Sequence, residues 1–142
     1  MKFKSRKDVF SPLIVFGFAI LFLWIVWDLL TKTSSEKKDL FGLLAIFAVS
    51  VLLFWIYFGT YYELTEKDLK YRSGPLYGKI DISLIHEVVK NKTLWGGLKP
   101  ALARKGLIIK YDKYNEIYIS PKTNNTFIRK LVELNPNIKI SE

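Results

Sequence analysis

Two unbroken apolar runs, followed by short apolar stretches cut up by turn residues, divide the chain into unlike parts. From Pro12, "PLIVFGFAILFLWIVWDLL" carries a single charge, Asp28, near its end; from Leu40, "LFGLLAIFAVSVLLFWIYF" carries none. At 1.5 Å per residue, about 19 residues make roughly 30 Å of helix, the thickness of a bilayer's hydrocarbon core. The pattern predicts transmembrane helices over 12–30 and 40–60, joined by a short external loop at 31–39 with Ser34 and Ser35 at the turn. A hairpin of this kind leaves a basic tail, 1–11, and a domain, 61–142, on the same side.

Beyond Thr60 the period changes. "YYEL", "TEKD" and "LKYRSG" read as strand, tight turn and strand. Ile80, Ile82 and Leu84 alternate, and then Ile85, Val88 and Val89 shift phase, which marks a bend or bulge. Leu107, Ile109 and Tyr111, a turn at Asp112–Asn115, and Ile117 and Ile119 make a hairpin. The C-terminal segment predicts a helix with Ser120 as N-cap, Pro121 in its first turn and Asn135 at its end; Phe127, Leu131 and Leu134 line one apolar face. The expected fold is a membrane α-helical hairpin followed by an α+β domain, a small β-sandwich or partial barrel closed by the C-terminal helix.

Composition fits this division. Half of the 142 residues are hydrophobic, although the net charge is +9. There is no Cys, so disulfides and thiolate chemistry are excluded, and the cytosolic side of a membrane suits the domain. Eight basic residues (Lys2, Lys4, Arg6, Lys7, Lys67, Lys70, Arg72 and Lys79) flank the spans on one side, against Lys32, Lys37 and Lys38 in the loop, which orients both termini towards the cytoplasm of a multi-pass cell-membrane protein. Cleavage of the first run as a signal peptide is disfavoured by its length and by the lack of a small-x-small site. Asp28, with Lys32 four residues on, reads as one half of an interfacial pair.

Catalytic and metal chemistry find no foothold. His86 is the only histidine, no G-x-S-x-G occurs, and "LWGGLKP" lacks the ending of a phosphate loop. The pattern calls for no enzyme, no metal and no cofactor. Charge carries more information. Between Lys90 and Lys113, seven cations face one acid, Asp112, a local net of +6. The candidates for binding anionic lipid or an acidic partner are Lys90, Lys92, Lys99, Arg104, Lys105 and Lys110, and Trp95, Tyr61 and Tyr62 are candidates for the membrane interface. Two bland readings stand beside these: lysines that keep a sheet edge soluble and unpaired, and a Trp95 that caps the domain's core. The partners implied are the bilayer itself and either anionic headgroups or another membrane protein. Nucleic acid is disfavoured, since only Tyr114 and Tyr118 offer stacking platforms near the basic strand.

The succession "YYELTEKDLKYRSGPLYGKIDISLIHEV", "PAL", "LIIKYD" and "IYISPKTNNTFIRKLVELNPNI", after the start "MKFKSRKD", resembles the bacterial pleckstrin-homology-like family of YyaB-like membrane proteins. The resemblance implies a PH-like domain behind a membrane-spanning N-terminus, and it implies no activity. The function expected is a non-catalytic, membrane-anchored binding or scaffold protein whose basic face is oriented on anionic lipid or an acidic partner. The alternative is an immunity protein that protects the membrane, or a target in it, from an antimicrobial peptide.

Overall fold

Lys2–Lys4, inside the segment read as a basic tail, forms a strand, β1, that pairs antiparallel with β2 (Tyr61–Leu64) through Phe3 opposite Tyr62. The structure, a computed structural model, describes residues 1–31 and 40–142. The Ser34–Ser35 turn and Lys32, Lys37 and Lys38 lie outside the described residues. Between β1 and β2 the chain runs through α1 (Phe10–Thr31) and α2 (Leu40–Gly59). Pro12 sits in the first turn of α1, where a missing N–H costs nothing. The helices touch through Phe16 against Phe54 and Phe22 against Phe47. Only 6% of each apolar stretch is buried, and Trp24, Trp27 and Phe41 are more than 60% exposed. Two helices this long and this apolar, uncovered by protein, belong in lipid and place the chain at a membrane. Because β1 precedes α1 and is built into the domain's sheet, cleavage after α1 would strip the sheet of a strand.

The expected β-sandwich or partial barrel is corrected. Strands β1, β2, β3 (Asp68–Ser73) and β4 (Leu76–Asp81) form one four-stranded antiparallel sheet. A second sheet has the order β7-β6-β5-β8 and is mixed, because β8 (Lys139–Ser141) pairs parallel to β5 (Ile85–Lys92). Neither sheet is closed or curled into a barrel. The cause lies at Asp81, whose carboxylate accepts from the Ser83 N–H and Oγ and caps a 3-10 turn at Ile82–Leu84. That turn carries β5 off the edge of β4, and β8 then occupies the outer edge of β5.

Both sheets turn one face into a common core. Leu64, Leu69 and Ile80 come from the first, Val88, Leu107, Ile109, Ile117 and Ile119 from the second, and Phe127 and Leu131 from α3 (Asn124–Leu134). Strand β6 (Gly106–Tyr111) is buried on its other face as well, where Ile108 packs with Val89 and Tyr118 beneath Leu94 and Ala101. Gly106 is required there: a Cβ would fall 2.2 Å from the Ile119 carbonyl oxygen on β7 (Asn115–Ile119). The helix expected from Ser120 starts at Asn124 instead. Ser120 is fully buried and bonds Ser5, and Pro121 bridges to Ser5.

Candidate functional site

The N-terminal segment between β1 and α1 fastens the hairpin to the domain. Ser5 N–H donates to the Thr60 carbonyl at 3.3 Å, and its hydroxyl lies 3.0 Å from Ser120 Oγ. Arg6 Nη2 donates to the carbonyls of Arg104 and Lys105, the latter at 2.9 Å, while Asp8 Oδ2 accepts from the Arg104 N–H at 2.6 Å. Lys7 Nζ sits 3.7 Å above the Tyr57 ring near the end of α2. On the other flank, Gly74 in the β3–β4 turn (φ +58°) presses on α2, where an added Cβ would lie 2.7 Å from Ile56 Cγ1. The start of α1 and the end of α2 therefore stand on one end of the domain, held by the 101–105 segment and the β3–β4 turn.

Arg104 and Lys105 lie at this helix-proximal end. The Arg104 guanidinium carbon is 4.5 Å from the centroid of the Phe10 ring, at the first residue of α1. Lys105 adopts a left-handed φ of 51°, unusual for a residue with a side chain, and is held there from both sides. Its N–H donates to Thr93 Oγ1 at 3.1 Å, and its carbonyl accepts from Arg6 and from Asn124 Nδ2. Lys92, at the end of β5 opposite Gly106, belongs to the same end of the second sheet.

The remaining sequence candidates are not brought together with these. Lys110 Nζ pairs with Glu87 at 2.8 Å towards the far end of β6, and Lys90 Nζ lies 3.2 Å from a Glu142 carboxylate oxygen. Lys99 is exposed in the β5–β6 connection. Tyr62 is corrected outright as a membrane-interface residue: it is 0% exposed, and its hydroxyl donates to the Pro100 carbonyl at 2.5 Å and accepts from the Ser120 N–H at 3.1 Å. Burial raises its pKa. Tyr61 is half-buried beneath Lys2, whose Nζ is 3.8 Å from the ring centroid. Trp95 is 88% exposed and does not cap the core. Tyr118 is buried and bonds Ala103 and Gly106, so it offers no stacking surface.

Sequence reasoning missed Arg6, Asp8 and Ser11, because 1–11 read as a tail. The one signal is Asp8 followed by Ser11 and Pro12, a pattern of helix initiation at the border between the tail and the apolar run. Among the described residues, no three His, Asp or Glu side chains gather as a metal site, and His86 is exposed on β5.

Glu87 is the domain's most perturbed acid. Hydrogen bonds from Lys110 and then from Ser141 Oγ (2.6 Å) pull its pKa from 4.5 to about 2. A depressed carboxylate stabilises the fold above its unfolded pKa, and that contribution fades as pH falls from 4.5 through about 2. The pair is partly solvated, which screens it. Thermal melts of wild type and Glu87→Gln should accordingly differ most above pH 5 and converge by about pH 2. A difference that holds constant across that range would show that the carboxylate charge is not what ties β8 and Lys110 to β5.

Over 80 residues the chain is 35% identical to the uncharacterized protein YyaB of Bacillus subtilis (strain 168); the match covers 56% of this chain and 55% of that protein. The chain thus spans about half the length of the curated relative it matches. No solved structure matches it. Residues 60–135, more than half of the chain, match the family of the bacterial PH domain, and the chain, with its two long apolar helices at the membrane, belongs to that family.

Proposed function

We propose that the protein is a membrane-anchored binding module with both termini in the cytoplasm, whose helix-proximal end lies on anionic lipid headgroups. One observation carries the reading: Arg104 and Lys105 are fixed beside the first residue of α1, the level at which an apolar span meets headgroups. Lys7, Arg72 and Lys92 add positive charge near the same end, and each basic group close to an anionic surface contributes about 1 kcal/mol. Lys90 and Lys110 drop out of the proposed face, since carboxylates already hold them. Trp95, exposed two residues after the threonine that holds Lys105, is the aromatic that enters the headgroup layer. Nothing in the domain favours an immunity role over this one.

The chain has no cysteine of its own, so Trp95→Cys introduces a single reactive site. In full-length protein reconstituted into bilayers, a water-soluble maleimide should label it more slowly when anionic lipid is present, and 1 M salt should restore the rate. Adding Arg104→Glu and Lys105→Glu reverses two charges, a swing of about 4 kcal/mol, or roughly a thousandfold in the equilibrium between apposed and free faces. The lipid dependence should then disappear. Equal labelling of the parent protein in neutral and anionic bilayers would sink the proposal.

A further inference from the structure

The first turn of α1, the last turns of α2 and the 101–104 segment enclose a cleft of about 330 Å³ where the apolar spans begin. This volume lies within the range of pockets that take small ligands. Its wall on the span side is apolar, formed by Ile14, Val15, Leu53 and Ile56, whereas Asp8, Ser11 and Arg104 make its polar rim. The Ser11 Oγ is buried without a hydrogen-bond partner, a costly state for a hydroxyl. The Arg104 guanidinium rests on the Phe10 ring and has no carboxylate partner among the described residues. Asp8 accepts the Arg104 backbone N–H but makes no ion pair with that guanidinium, so opposite charges stand apart on one rim.

We infer that the cleft holds the headgroup of one aminophospholipid. The phosphate oxygens accept from Arg104 and from Ser11 Oγ, the primary ammonium donates to the Asp8 carboxylate, and the acyl chains leave past Ile14 and Leu53 into the bilayer. A zwitterion matches separated rim charges, whereas an anionic headgroup lacking an amine meets Asp8 as a like charge. The inference rests on reading α1 and α2 as membrane spans and adds a specific lipid to the general attraction proposed above.

The test uses full-length protein in mild detergent, with equimolar phosphatidylethanolamine, phosphatidylglycerol and phosphatidylcholine, and counts retained lipid by native mass spectrometry. Wild type should retain phosphatidylethanolamine over the other two. Arg104→Gln removes a charge-assisted bond to phosphate and should lower that retention about tenfold or more. Asp8→Asn keeps an oxygen to accept the Arg104 N–H, so it should melt like wild type yet lose the preference for phosphatidylethanolamine over phosphatidylglycerol. Ile14→Trp fills the cleft without touching a charge and should also expel the lipid. Retention of phosphatidylglycerol by wild type at or above the level of phosphatidylethanolamine would overturn the inference, as would unchanged retention in Arg104→Gln or Ile14→Trp. Trp95→Cys labelling is independent of the cleft: protection there together with a failed lipid preference would overturn this site alone.

Discussion

A fragment that begins at Tyr61 is expected to show no cooperative thermal transition, whereas residues 1–8 joined by a short Gly-Ser linker to residues 60–142 should melt cooperatively. The fragment contains the segments that read as the PH-like domain, but it lacks β1, Ser5 and Arg6. Without β1 the β2 edge is unpaired, and Phe127 loses Phe3, whose ring centroid lies 5.1 Å away. The Tyr62 hydroxyl loses Ser5, and the 104–105 carbonyls lose Arg6. Loss of an aromatic side chain from a core costs about 2 kcal/mol, and each hydrogen bond adds about 1. Four backbone hydrogen bonds go as well, joining Met1 to Leu64, Lys4 to Lys122, Ser5 to Thr60 and Arg6 to Ser120. An 80-residue domain with about 0.1 kcal/mol per residue has some 8 kcal/mol to lose, and these losses together reach about that figure. The joined chain is feasible because the Ser5 N–H already meets the Thr60 carbonyl at 3.3 Å, so a few flexible residues replace the whole hairpin at little entropic cost. Near-UV circular dichroism through a melt distinguishes the two. A fragment as stable as the joined chain would mean that β1 is an ornament on the sheet and that the hairpin is not fastened through it.

That β1 escaped the sequence has a physical reason. Lys2–Lys4 offers one apolar residue between two lysines, and three residues are too few for a period of two to stand out from chance. The strand exists because its partner is supplied from 57 residues further along the chain, across a hairpin that returns to its starting point. β8 escaped likewise, as a three-residue strand whose parallel partner is fixed by the chain's route around α3. Long, strongly patterned elements were legible: both apolar helices, the β6–β7 hairpin with its Asp112 turn at φ 55°, and the Phe127–Leu131 face of α3. Whether the sheets close was not legible, because alternation states which face is buried and is silent about which edges meet. The basic stretch shows a similar limit. Counting cations between Lys90 and Lys113 found an excess of charge, yet Glu87 and Glu142 neutralise two of the six candidates, and the cluster at Arg104 depends on Arg6 and Asp8 from the other side of the hairpin.

Phe127→Ala is expected to destabilise the full-length protein's domain by about 3–5 kcal/mol, since the ring is 0% exposed and its removal leaves a cavity where α3, β1 and both sheets converge. Phe127→Leu keeps most of the volume and should cost less than about 1.5 kcal/mol. The two variants separate burial from any special role of the ring. Phe3 and Phe127 meet edge to face, with ring planes 70° apart, a geometry worth about 0.5–1.5 kcal/mol beyond the area it buries. A cycle of Phe3→Leu, Phe127→Leu and the double variant should therefore return a coupling of that size. Hydrogen exchange in reconstituted protein reads it at two places: β1 amides and α3 amides should lose protection together, while α1 and α2, fixed by lipid, keep theirs. Loss confined to α3 would show that β1 is held by its ladder with β2 alone. In that event the aromatic pair plays no part in tying the N-terminal strand, and through it the hairpin, to the core of the domain.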